Sequence, residues 1–217
     1  MATTPTTSPD VEPPVAAHPG RRLSEDEFVE WAEGFEKVRA EWIDGEVIVM
    51  SPVNLTHLRL SEFLFRILVE FAEARNLGEI HGPEFVNRFR VGPRLMRRLP
   101  DLWFVASGRL HLLQPSYLDG PPDLAVEVVS PDSIERDYHE KFSTYQAAGV
   151  REYWIIDPLE KILQAFRLDP PSGRFQALNQ AEGRIDSEVL PGFFLRSEWL
   201  WRAPLPKVSD LLRELGV

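Results

Sequence analysis

The sequence predicts a mixed α/β fold, a β-sheet flanked by helices and preceded by a β-hairpin. Three observations carry that reading. "EWIDGEVIVMSP" sets two apolar runs around Asp44-Gly45, a strong short-range hairpin signal. "NLTHLRLSEFLFRILVEFAEARNLG" repeats Leu60, Phe63, Leu64, Ile67, Leu68 and Phe71 at helical spacing over about five turns. "DLAVEVVS" and "REYWIID" are β-branched, apolar runs joined by a helical segment that ends at Gly149, a strand–helix–strand unit.

Taken in order, residues 1–20 are rich in Thr and Pro and poor in large apolar side chains, which predicts a disordered tail. Residues 21–217 read as a single domain. Leu23 to about Trp31 is a short helix, with Ser24 as N-cap and Glu27 three residues on, a capping box. The hairpin and long helix follow, with Gly78 read as the helix stop. "EFVNRFRV" and "DLWFVA" are strands, then comes "DLAVEVVS". A helix covers roughly Ser133–Ala148. "KILQAFRLD", "GRFQALN" and "EVLPGFF" read as further hairpin strands, and "KVSDLLRELGV" as a C-terminal helix. Between Arg88 and Arg98 the chain holds five arginines and no acid, which reads either as a solvated loop or as a phosphate-facing patch.

Composition narrows the chemistry. Apolar and charged fractions of 43% and 27% suit a soluble globular protein, and no apolar run nears the ~20 residues that span a bilayer. No secretory signal is legible, so a cytoplasmic location is expected. There is no cysteine, which excludes disulfides and thiolate chemistry and leaves carboxylate, histidine and carbonyl groups as metal ligands. A net charge of −10 argues against a general nucleic-acid binder.

The informative residues are acids in a strand. In "PPDLAVEVVS", Asp123 and Glu127 fall on one face, yet at ~3.3 Å per residue they stand roughly 13 Å apart and cannot share an ion. Glu127 needs partners from elsewhere. Asp101, opening "DLWFVA", would meet it if the two strands are neighbours. Lys141 is the other candidate. With Ile134 at zero and 100° per residue, Lys141 falls near −20° and Tyr145 near +20°, in the middle of the helix's apolar stripe. A Glu127–Lys141 pair serving only packing is one reading. Two carboxylates with a lysine are also the inventory of metal-assisted phosphodiester cleavage.

"PDLWFV", "PPDLAVEVVSPDS" and "HEKFSTYQAAGVREYWIIDP" resemble the bacterial Uma-type family of restriction endonucleases, in the PD-(D/E)XK nuclease superfamily. The resemblance runs from about Leu23 to Phe194. It implies a restriction-endonuclease-like core and a nuclease-like domain over 21–217. It makes Asp101 and Glu127 the catalytic and metal-binding acids, with Mg²⁺ as cofactor and Mn²⁺ as substitute, and Lys141 the catalytic lysine. The superfamily pattern places that lysine two positions after the acid, where this chain has Val129; the family has it on the helix instead. Glu46, His57 and Asp123 match recurrent family positions, as accessory candidates; Tyr145, one turn beyond Lys141, reads as core packing with its hydroxyl directed toward the site, a further accessory candidate. Asp123 reads as a support, a strand-end acceptor or a ligand to a second ion. His57 reads as an ordinary hydrogen-bonded histidine or an active-site group.

The function these residues imply is metal-dependent hydrolysis of DNA, with no membrane partner; hairpin edges and six tryptophans allow a homodimer. The alternative is a catalytically silent nuclease fold used as a nucleic-acid-binding or regulatory module. A two-carboxylate glycosidase leaves Lys141 without a role.

Overall fold

The structure, a computed structural model, describes residues 22–34 and 38–217. The tail expected over 1–20 lies outside them. The chain divides into two compact units, Met1–Met50 and Ser51–Val217.

In the first unit, α1 (Glu25–Glu33) starts at the predicted capping box: the Ser24 side chain accepts from the Glu27 N–H, and the Glu27 carboxylate accepts from the Ser24 N–H at 2.7 Å. Its apolar residues Phe28 and Trp31 are buried. β1 (Ala40–Ile43) and β2 (Glu46–Val49) form the hairpin, Ile43 opposite Glu46. Asp44 and Gly45 both take positive φ, 49° and 104°, as a tight two-residue turn demands. The Trp42 indole N–H closes the unit by donating to the Leu23 carbonyl at 2.9 Å.

The second unit is built on a six-stranded sheet in the order β11-β10-β9-β8-β6-β3. These strands are β3 (Gly78–His81), β6 (Leu102–Ala106), β8 (Leu124–Val128), β9 (Glu152–Asp157), β10 (Ile162–Asp169) and β11 (Arg174–Ala177). Only β8 and β9 run parallel; the remaining neighbours are antiparallel. Parallel neighbours need a crossover, and the helix between them supplies it. α2 (Leu55–Ala74) covers one face of the sheet, burying the six apolar residues that its periodicity picks out. It meets Leu102 and Phe104 of β6, Leu124, Val126 and Val128 of β8 and Trp154 and Ile156 of β9.

Three expectations need correction. The long helix stops at Ala74, and Asn76, with φ 53°, makes the turn; Gly78 instead opens β3. Its φ is 149°, and a Cβ there would lie 2.1 Å from the Val105 carbonyl oxygen, so close strand pairing is what requires glycine. The arginine-rich stretch is no loop: β4 (Val86–Val91) and β5 (Arg94–Arg98) form a hairpin around Gly92-Pro93, and β7 (Tyr117–Asp119) runs parallel to β4. "EVLPGFF" is mostly turn, because Pro191 lacks a donor and Gly192 takes φ 86°; the short strands β12 (Arg184–Asp186) and β13 (Phe194–Arg196) flank it.

Candidate active site

β8 is buried along its whole length, and its side chains alternate between two environments. Leu124, Val126 and Val128 join the core beneath α2. Glu127 points to the other face, towards the crossover helix, and is 1% exposed. β6 pairs antiparallel with β8, Leu102 opposite Val126. Asp101 stands one residue before β6, and one more step of that register sets it across from Glu127. Its Oδ2 accepts from the Val128 backbone N–H at 2.9 Å, so the carboxylate itself extends the strand pairing.

The crossover helix delivers the cation. It runs from Ile134 through a π-helical segment, Arg136–Lys141, into α3 (Phe142–Ala148), and ends at Gly149 in the left-handed conformation. Positions four apart on an α-helix drift by about 40° per step; the wider π-turn reduces the drift. Ser133, Asp137, Lys141 and Tyr145 consequently line one buried face. Ile134, the zero of the ideal wheel and read as part of its apolar stripe, is 45% exposed; the ideal wheel does not hold through a π-turn.

On that face the Lys141 ammonium lies 2.7 Å from Glu127 Oε2 and 3.2 Å from Asp137 Oδ1. The second contact is one of charge rather than an aligned hydrogen bond. The Tyr145 hydroxyl donates to Glu127 Oε1 at 2.8 Å. His57, in the first turn of α2, places Nε2 3.1 Å from Asp101 Oδ1. Its Nδ1 is buried without a hydrogen-bond partner, which assigns the proton to Nε2 when the ring is neutral.

Three acids therefore crowd around one lysine. Burial pushes the Glu127 carboxyl above its ordinary range; Lys141 pulls it back, while Asp101 and Asp137 push it further up. Burial acts on Asp101 in the same sense, but the hydrogen bond and charge of His57, then Lys141 and the Val128 N–H, outweigh it and hold Asp101 below the usual value. Burial, then the charges of Glu127, Asp137 and Asp101, raise the neighbouring Tyr153 phenol well above its usual value.

Of the residues singled out in the sequence, Asp101, Glu127, Lys141, His57 and Tyr145 come together here. Asp123 does not join them. Fully buried, it accepts from the Ala106 N–H at 2.8 Å and pairs with Arg109 at 2.9 Å and Arg151 at 3.3 Å, tying β8 to the segments around it. Glu46 is an exposed residue at the start of β2 in the first unit. Asp137 was not singled out, though its spacing of four from Lys141 was a usable signal. The arginines of β4 and β5 take separate roles. Arg98 is fully buried and reaches Glu140 at 2.5 Å, whereas Arg88 pairs with Asp119 at 3.0 Å.

Among the described residues no three His, Asp or Glu side chains form a group able to hold a metal ion. Asp101 and Glu127 offer two hard-oxygen donors, and each carboxylate oxygen keeps a second lone pair beside the bond it already makes. Three carboxyl groups share one lysine here, and a divalent cation would favour their ionised forms. The donor set fits Mg²⁺ or Mn²⁺ with remaining positions filled from outside the chain.

The chain is similar in structure to "a putative nuclease belonging to DUF820" from Anabaena variabilis ATCC 29413. The TM-score is 0.67 at 16% identity, over 82% of this chain and 97% of that one. At that identity the likeness speaks for the fold, a restriction-endonuclease-like arrangement of mixed sheet and flanking helices. No curated protein matches. The model of the Uma2 family, described as "Putative restriction endonuclease", matches residues 25–198, most of the chain. The chain belongs to the Uma2 family.

Proposed function

We propose that this chain is a metal-dependent endonuclease that hydrolyses DNA phosphodiester bonds, with Asp101, Glu127 and Lys141 as its working groups. Family and fold support a nuclease at the coarse level. The finer reading rests on one observation, the convergence of two acids from adjacent strands and a lysine from the crossover helix in a buried, carboxylate-rich site. Bound Mg²⁺ or Mn²⁺ would polarise the phosphate and lower the pKa of an attacking water. The chain's own groups do the rest. Asp101 is fixed through both oxygens, by His57 and the Val128 N–H, and each oxygen keeps one further lone pair. Tyr145 holds Glu127 from one side and Lys141 from the other. The ammonium orients the water and offsets charge building on the phosphate.

Supercoiled plasmid incubated with protein and Mg²⁺ or Mn²⁺ is expected to be nicked. Glu127→Gln is expected to abolish nicking while its circular dichroism stays that of the wild type. Intact plasmid with every divalent cation and wild-type protein would sink the reading. The alternative, a silent nuclease fold that binds nucleic acid, is favoured by the near-complete closure of Glu127 and Lys141 from solvent. It predicts retardation of DNA in a gel without cleavage and no sensitivity to Glu127→Gln.

A further inference from the structure

The π-turn and the acid inside it have no part in the mechanism above. Asp137 is 2% exposed, and it is the third carboxylate in a site that holds one lysine. A buried acid is costly unless it is paired, and Asp137 is held by several devices at once. Its N–H donates to the Ser133 carbonyl at 2.8 Å, inside the helix. Its carbonyl accepts from the Tyr153 hydroxyl at 2.8 Å, a bond from β9 that pins the widened turn against the sheet. Its carboxylate then faces Lys141 Nζ at 3.2 Å, from the helix side, while Glu127 faces the same nitrogen at 2.7 Å from the sheet side.

A lysine side chain is a flexible four-carbon stem whose single charge sets no direction of its own. One carboxylate fixes a distance; a second, on another element, fixes where along that distance the ammonium sits. Asp137 and Lys141 both lie in the π-helical segment, four apart on one face, so the acid and the ammonium it faces are carried by the same short element. From this we infer that Asp137 is a positioning residue that holds the Lys141 ammonium beside Glu127. The inference rests on the endonuclease reading for its catalytic consequence, and on the geometry alone for its structural one.

Two measurements on full-length protein test it separately. The chain has only four lysines, Lys37, Lys141, Lys161 and Lys207, so the ¹⁵N-resolved side-chain NH₃⁺ spectrum is simple. One slowly exchanging signal is expected, absent from Lys141→Met and broadened away in Asp137→Asn, but retained in Asp137→Glu. In the plasmid assay with Mn²⁺, Asp137→Asn is expected to lower kcat roughly 100-fold, the scale of a misaligned catalytic group. KM should stay within about twofold of wild type, since the residue positions a group rather than binding substrate. Asp137→Glu is expected to recover most of the loss.

An unchanged Lys141 signal in Asp137→Asn overturns the inference, as does a loss confined to KM. A signal lost in that variant with no cleavage by the wild type leaves the positioning role standing and removes the nuclease reading. If Asp137→Asn fails to fold, the comparison passes to Asp137→Glu, and loss of the slow signal there overturns the inference.

Discussion

At the scale of single residues, the most consequential groups are buried acids whose partners decide their charge. Tyr145 is the simplest to probe: removing its hydroxyl leaves Glu127 Oε1 without its donor in a site closed to water. Tyr145→Phe is therefore expected to cost about 1–3 kcal/mol in urea denaturation. Glu152, at the start of β9, is a second case. Burial pushes its carboxyl up to about 7, although the Ser187 hydroxyl and the Glu188 N–H, bonded at 2.6 and 2.8 Å, oppose the rise. A raised carboxyl binds more protons folded than unfolded, so its contribution is full below about pH 4.5 and is lost as pH climbs to about 7. That difference amounts to about 3 kcal/mol. The fall in stability between pH 5 and pH 8 should be smaller in Glu152→Gln than in wild type; identical pH dependence in the two would refute the assignment.

At the scale of elements, what was legible in the sequence divides by the range of the cause. α1 with its capping box, the Asp44-Gly45 turn and the buried stripe of α2 were readable because their signals lie within a few residues. The adjacency of β6 and β8 was only an expectation, since nothing local specifies which strands pair. β5 was obscured by composition. "RLMRR" carries three arginines, yet Arg97 and Arg98 are buried, Arg97 over the Tyr117 ring and Arg98 against Glu140, tertiary partners that no local pattern announces. The π-turn was invisible to an ideal wheel, which still found Lys141 and Tyr145 but misplaced Ile134 and passed over Asp137. Gly78 was read as a helix stop because glycine serves in both places; the deciding fact is its approach to the Val105 carbonyl across the sheet. Gly78→Ala forces both the clash and a disfavoured φ. It is expected to cost at least about 2 kcal/mol, seen as a lower melting temperature with α2 helicity intact.

For the molecule as a whole, a net charge of −10 opposes approach to a polyanion at long range. Within the proposed function, a divalent cation therefore serves twice, screening the encounter and completing the site. Linkage makes this measurable without a substrate. A cation bound only by the folded state stabilises it by about 2.7 kcal/mol at a hundredfold excess over Kd, a rise in melting temperature of roughly 5–10 °C for a chain of this size. Mg²⁺ should produce such a rise in wild type and little in Asp101→Asn; equal shifts in both would place the ion elsewhere. Among the described residues no helix is long and apolar enough to cross a membrane.

The bond from the Val128 N–H to Asp101 has an evolutionary reading. One oxygen of that carboxylate closes the ladder between β6 and β8, while the other faces His57. Under the proposed function, architecture and chemistry would draw on the same side chain, and selection for a stable sheet would preserve Asp101 in a lineage that had ceased to cut. Asparagine keeps an acceptor for the ladder and sheds the charge. Descendants that abandoned cleavage should therefore drift at this position towards asparagine before alanine, leaving a recognisable scar of lost activity in an otherwise intact fold.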